Sequence, residues 1–183
     1  MPTKDEYLAR PLADRIERLR TTPDELAARL HERSDPALSQ RPGARSWSPK
    51  EIVCHLRDVE ELFTTRFCTM LAVDDPTILT LSATPEVLAA WGIVGSVGHP
   101  LDPDRWAEER QYLRNDAAEA LAAFRRRRQE LLSLLEALST AQWKRGGIHP
   151  MDGRLSMADW AASLAAHDDN HLDQLTRALD GRP

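Results

Sequence analysis

Leu155-Ser156-Met157-Ala158-Asp159-Trp160-Ala161-Ala162-Ser163-Leu164-Ala165-Ala166-His167-Asp168-Asp169-Asn170-His171-Leu172-Asp173-Gln174-Leu175 is the stretch whose reading decides the fold. At about 100° per residue, Met157, Trp160, Leu164, His167, His171 and Leu175 fall within roughly 80° of arc, while Asp159, Ala166, Asp169 and Asp173 fall behind. The spacing predicts an amphipathic helix that turns two imidazoles inward. Its start is written in the sequence: Ser156 can cap, Asp159 stands three residues on where a capping-box acid stands, and Leu155 can staple onto Trp160. Two inward histidines four residues apart are spaced to share one metal ion, or each ring can be satisfied separately in a core.

A second helix start is clearer still. In Trp47-Ser48-Pro49-Lys50-Glu51-Ile52, Ser48 caps, Pro49 opens the helix, Glu51 reaches back and Trp47 can staple onto Ile52. The helix is expected to run to about Leu71 and to bury Ile52, His55, Leu56, Val59, Leu62, Phe63 and Met70, so His55 is a third inward histidine. Upstream, Thr22-Pro23-Asp24-Glu25 predicts that the first helical segment breaks and restarts with Thr22 as N-cap. Residues 34–46, with Pro36, Pro42 and Gly43, read as loop. Residues 72–101 hold three prolines and three glycines and form a long connection, either a crossover or a cover over a pocket. Asp102-Pro103-Asp104 then predicts one long helix to about Ser139, with Trp106, Leu113, Ala117, Ala120, Phe124, Leu131, Leu135 and Leu138 in one stripe. Residues 144–154, including His149, read as a glycine-containing loop. With no alternating strand pattern, the expectation is an all-α four-helix bundle, residues 1–183 forming one domain, with the long connection between the second and third main helices.

Bulk composition narrows the function. Across 183 residues, 24 Lys+Arg stand against 29 Asp+Glu, a net charge of -5, and no basic stripe of the kind nucleic acid requires is present. The Arg125-Arg126-Arg127-Arg128 cluster reads as a solvated face. No leader or apolar run of about 18 residues is visible, which leads to the expectation of a cytoplasmic chain without membrane or nucleic-acid partners. Cys54 and Cys68 lie roughly 20 Å apart along one helix and cannot pair with each other; Cys54 projects about 100° away from His55 and reads as packing.

The chemistry-bearing residues form one set with two readings. His55, His167 and His171 could converge on a divalent ion that keeps a fourth position for water or substrate, or they could be three separate core histidines. Asp58, Asp168 and Gln174 are placed to orient the rings, with salt bridges or solvent as the plain alternative. Arg66, Arg110 and Arg128 fall on buried faces, where they can pair with helix carboxylates or hold an anionic substrate. Other chemistries fit less well: a zincin needs Glu where Asp168 stands, paired E-x-x-H motifs for a di-iron bundle are absent, and there is no glycine-rich phosphate loop and no G-x-S-x-G.

On these residues the chain resembles a known family. Trp47-Ser48-Pro49-Lys50-Glu51-Ile52-Val53-Cys54-His55-Leu56-Arg57-Asp58-Val59-Glu60 is similar to the W-S-x-x-E-I-x-x-H-L-x-D-x-E segment of the DinB/YfiT-like metalloenzymes. His149-Pro150-x-x-Gly153, followed by His167-Asp168-x-x-His171-Leu172-x-Gln174-Leu175, resembles that family's H-P-x-x-G and H-D-x-x-H-x-x-Q-[LI] features. The resemblance implies a four-helix bundle holding nickel or zinc through His55, His167 and His171, often as a homodimer. It also implies a small-molecule substrate, and three readings of function are open. The first is thiol-dependent S-transfer or isomerisation with bacillithiol, mycothiol or glutathione, the reacting group being a metal-bound thiolate. The second is hydrolysis by metal-bound water, and the third a non-catalytic, stress-associated metal-binding role. The parts played by His149 and by residues 72–101 stay open at this level.

Overall fold

The computed structural model describes residues 2–93 and 99–183; residues 94–98 of the long connection lie outside the described residues. In chain order come α1 (Lys4–Leu8), α2 (Leu12–Leu30), α3 (Asp35–Ser39), α4 (Pro49–Ala72), α5 (Pro85–Ala90) and α6 (Pro103–Glu109). A single 3-10 turn at Tyr112–Arg114 leads into α7 (Ala117–Glu136) and α8 (Thr140–Trp143). A hairpin of β1 (Gly146–His149) and β2 (Gly153–Ser156) then feeds α9 (Met157–Leu179). The expected all-α four-helix bundle is what forms, built from α2, α4, α7 and α9. Helix α4 packs on α7 and α9, and α2 packs on the same two from the opposite side, so α4 and α9 are neighbours.

Both helix starts read from the sequence are present. Ser48 Oγ accepts from Glu51 N while a Glu51 carboxylate oxygen accepts from Ser48 N at 2.9 Å. Ser156 and Asp159 do the same at the head of α9, with Ser156 N donating to Asp159 Oδ2 at 2.8 Å. Each box satisfies backbone N–H groups that an isolated helix end leaves bare.

Residues 34–46 are not loop throughout, because α3 spans Asp35–Ser39, and three further expectations are corrected. First, α2 does not restart at Thr22: it runs through Pro23, which stays inside the helix. Proline has no N–H to give to the carbonyl four residues back, that of Leu19. Arg128 Nη1 donates to that carbonyl instead, at 2.8 Å, so a side chain from α7 replaces the missing bond. Second, the single helix from 102 to 139 is two. Gln111 adopts φ 50°, Asn115 Nδ2 donates to the carbonyls of Arg110 and Gln111, and Asp116 caps α7 by accepting from Glu119 N at 2.9 Å. The break rotates the apolar stripe, so Tyr112 is buried and Leu113 is 41% exposed. Third, residues 144–154 are not simply loop. Gly146 pairs with Ser156 and His149 with Gly153 in an antiparallel hairpin, and Ile148 bridges to Thr77. A Cβ on Gly146 would sit 2.1 Å from Leu155 O, so only glycine lets the two strands close here.

The apolar core lies in two clusters. One holds Leu19, Phe63, Phe67, Leu131, Trp160 and Leu164, and the other Leu26, Ile52, Leu56, Phe124, Leu172 and Leu175. At their boundary each long helix contributes one buried polar residue: Thr22, Glu60, Arg128 and Asp168. Arg128 Nε and Nη2 donate to the two Glu60 oxygens at 2.8 and 2.7 Å, and Nη1 donates to Asp168 Oδ2 at 2.7 Å. Thr22 Oγ1 lies 2.8 Å from the same Asp168 oxygen. Of the two readings of Arg128, pairing with helix carboxylates is the one observed, and the solvated face expected of residues 125–128 does not extend to this residue, which is buried.

Candidate metal centre

Because α4 and α9 are neighbours, the second turn of one meets the middle of the other, and that is where the histidines lie. His55 Nε2 and His167 Nε2 are 3.3 Å apart. Ring centroids are separated by 5.3 Å for His55 and His167, 4.6 Å for His55 and His171, and 4.3 Å for His167 and His171. One nitrogen from each ring lies within 4.8 Å of the others. Ligands about 2.1 Å from a common tetrahedral ion would stand about 3.4 Å apart, close to the spacing of the first pair.

The protonation states suit such an ion. Burial, with the adjacent imidazoles adding repulsion, holds His55 and His167 well below the usual histidine range. His171 is also lowered by burial, against an opposing contribution from Gln174. His171 Nδ1 lies 2.8 Å from Gln174 Oε1; an amide oxygen only accepts, so Nδ1 carries the proton and the Nε2 lone pair is free. Among the described residues the buried Nδ1 atoms of His55 and His167 find no hydrogen-bond partner, so packing sets those two rings. Trp47 lies 4.8 Å from the His55 ring and stacks on His171 at 6.3 Å, and Phe63 lies 6.5 Å from His167. Three neutral nitrogen donors with aromatic backing form a donor set that fits a divalent ion.

The three rings border a cavity of about 310 Å³ whose wall also includes Trp47, Leu62, Phe63, Arg66, Thr80 and Trp106. Thr80, Leu81 and Leu101, from the long connection expected to be a crossover or a cover, are part of that wall, as is Pro103 at the head of α6. Trp47 packs against the cluster containing Ile52, as a staple would, and its Nε1 donates to Asp104 at 2.8 Å, tying α6 to the approach of α4. Periodicity assigned Trp47 to helix capping and Trp106 to a core stripe. Their place in the cavity wall depends on how α6 folds back, for which the sequence carries no local signal.

The other site candidates separate. Gln174 reaches His171, whereas Asp58 and Asp168 reach no imidazole. Asp58 accepts from Arg57 Nε at 2.7 Å, Arg110 Nη1 at 2.7 Å and the Tyr112 hydroxyl at 2.8 Å. Asp168 is taken by Arg128 and Thr22. In both cases a charged guanidinium competes for the carboxylate more strongly than a neutral ring N–H. Arg110, bound to Asp58 and 4.5 Å above the Trp106 ring, lines a separate open cleft with Arg57, Arg114 and Arg126. Of the three arginines, only Arg66 borders the histidine cavity. His149 lies apart from the cluster: its Nδ1 accepts from Met151 N and Asp152 N, and its ring is 5.7 Å from Trp160. Cys54 is buried and Cys68 exposed. No helix among the described residues is long and apolar enough to cross a membrane.

Comparison with known proteins agrees with this architecture. The sequence model of the DinB superfamily matches residues 18–175. Among solved structures, the chain is similar to YfiT from Bacillus subtilis, described as a probable metal-dependent hydrolase with an unusual four-helix bundle topology. The TM-score is 0.74 and the identity 21%, with 91% of this chain and 85% of that one covered. No curated protein matches the sequence.

Proposed function

The chain belongs to the DinB superfamily, and from that membership and the histidine cavity we propose a metal-dependent enzyme that transfers a low-molecular-weight thiol to an electrophile. The observation that carries the reading is that the three-histidine cluster opens into a partly open, largely apolar cavity instead of being sealed in the core. A structural three-histidine site would be closed by a fourth protein ligand. Nickel or zinc, held by His55, His167 and His171, would supply a Lewis acid that lowers the pKa of a thiol or of water at its open position.

The chain's own residues do the rest. Gln174 holds His171 in the tautomer that presents Nε2. Trp47, Phe63 and Trp106 exclude water and give an apolar acceptor a surface to lie on. Among the described residues, no Asp or Glu borders the cavity. Hydrolysis is helped by a carboxylate base beside the attacking water, whereas a thiolate attacks without one once its proton has left, which favours thiol transfer. Hydrolysis is the second reading, supported by the description given to YfiT. The reduced pair Cys54 and Cys68 suits a cytoplasmic setting, and a homodimer is the assembly the family resemblance implies.

Elemental analysis of protein purified without chelator tests the metal: about one nickel or zinc ion per chain is expected, lost in His171→Ala while helical circular dichroism persists. Unchanged stoichiometry in that variant removes the assignment. Bacillithiol, mycothiol and glutathione, each offered with an electrophilic acceptor, should give chelator-sensitive conjugation. Chelator-sensitive ester or amide cleavage, with no conjugation under any pairing, would instead select the hydrolase.

A further inference from the structure

Among the described residues, Arg66 is the one formal charge on the wall of the histidine cavity, and no carboxylate pairs with it there. It lies three turns after His55 on α4, about 16 Å further along the axis, and is 9% exposed. Nη2 donates to the Leu79 carbonyl at 2.6 Å, Nε is buried with no acceptor, and no carboxylate pairs with it among the described residues. Its Cζ lies 4.9 Å from the Phe63 ring centroid and 5.4 Å from that of Trp160, so aromatic rings support the guanidinium without neutralising it. Trp160 Nε1 is a second buried donor with no acceptor among the described residues. Burial lowers the Arg66 pKa to about 10, which leaves the side chain charged at neutral pH.

A buried guanidinium ordinarily meets an anion, and one beside a cavity without a carboxylate partner can take a ligand's negative charge. Phe63 links the guanidinium to the histidines. Its ring is 4.9 Å from Arg66 Cζ and 6.5 Å from the His167 ring, so the guanidinium lies no more than about 11 Å from that imidazole.

We propose that the cavity takes a carboxylate-bearing substrate whose anionic end sits on Arg66 while a short apolar or aromatic spacer runs along Phe63, Val59 and Leu62 toward the three histidines. The assignment of the far end as the reacting end rests on the function proposed above; the carboxylate site stands on Arg66 alone. Substrates with a neutral group at the Arg66 end would leave the guanidinium desolvated and unpaired, so the site discriminates by charge at one end and by length at the other.

The probes are 3-phenylpropanoate and 4-phenylbutanoate, each against its amide, titrated into the protein as purified and followed by calorimetry and by the fluorescence of Trp47 and Trp106. Each acid should bind at least 10-fold more tightly than its amide. Arg66→Gln should lower acid affinity to the amide level and leave amide binding and thermal midpoint unchanged, with Arg66→Lys intermediate. Equal affinity for acid and amide in the wild-type protein, or an acid preference retained in Arg66→Gln, would overturn the proposal. If Arg66→Gln does not fold, the wild-type pair and Arg66→Lys decide. An acid preference without any turnover would remove the proposed function and keep this site; turnover confined to neutral acceptors would do the reverse.

Discussion

Arg128 and Arg66 are both buried in the bundle and meet opposite fates. Arg128 is surrounded: two carboxylates and a backbone carbonyl occupy its fork, and all its partners come from the other three long helices. Arg66 has one carbonyl and two aromatic faces. The first arrangement completes the charge balance inside the protein and leaves nothing for a ligand to do. The second leaves part of the balance open at the edge of a cavity. Buried charge thus serves architecture where its partners are built in, and recognition where one partner is missing.

The largest effect should come from breaking the complete site. Arg128→Met removes the cation and strands Glu60 and Asp168 in the core, also leaving Leu19 O without the bond that replaces Pro23's missing N–H. A loss of about 3–5 kcal/mol is expected by urea denaturation. Replacing Arg128, Glu60 and Asp168 together by Met and Leu should recover most of that loss, because no unpaired charge is then left behind. A single variant as stable as the wild-type protein would show that the layer does not hold the helices.

Much of this was legible in the sequence where a local rule operated. The boxes at Ser48 and Ser156 needed only two residues at fixed spacing, and the 3.6-residue stripe was enough to turn His55, His167 and His171 inward. Where a tertiary partner decides the outcome, local rules failed. Pro23 reads as a helix start until Arg128, more than a hundred residues away, is known to serve Leu19 O. Asp58 and Asp168 stand near histidines in sequence, yet a guanidinium reaches each first. The Asn115-Asp116 pair was a readable break, overridden by a periodicity that ran on through it.

The second prediction sharpens the contrast on the histidine side. Gln174→Leu removes the acceptor that fixes His171, and metal affinity measured by chelator competition should fall about 10- to 100-fold, with little change in the unfolding midpoint of the metal-free protein. Gln174→Glu keeps an acceptor at Nδ1 and should restore most of the affinity. An unchanged affinity in Gln174→Leu would mean that packing by Trp47 alone sets the ring.

A third comparison uses pH at Asp58. Burial pushes its carboxyl up, but hydrogen bonds from Arg57, Arg110 and Tyr112 outweigh that and hold it below the usual range. A depressed carboxyl stabilises the fold fully above its unfolded pKa of about 3.9, and the contribution is lost as pH falls through the lower folded value. Asp58→Asn should therefore be less stable than the wild-type protein by about 1–3 kcal/mol at pH 7, and the gap should close below about pH 4. A gap that stays constant down to pH 3 would assign the loss to packing.

The smallest effect tests whether the polar layer needs its fourth member. Thr22 Oγ1 lies 2.8 Å from Asp168 Oδ2 and 2.9 Å from Arg18 O, and its single proton can serve only one of them fully. Valine has nearly the same shape, so Thr22→Val removes the hydroxyl without opening a cavity. Asp168 would keep Arg128, and the loss should be about 1 kcal/mol, the worth of one hydrogen bond to a charged acceptor that retains another partner. A loss near that of Arg128→Met would mean that Thr22, not the guanidinium, keeps Asp168 in place. The aspartate next to His167 would then be held from α2, and the histidine pocket and the ion layer would have to be treated as one structure.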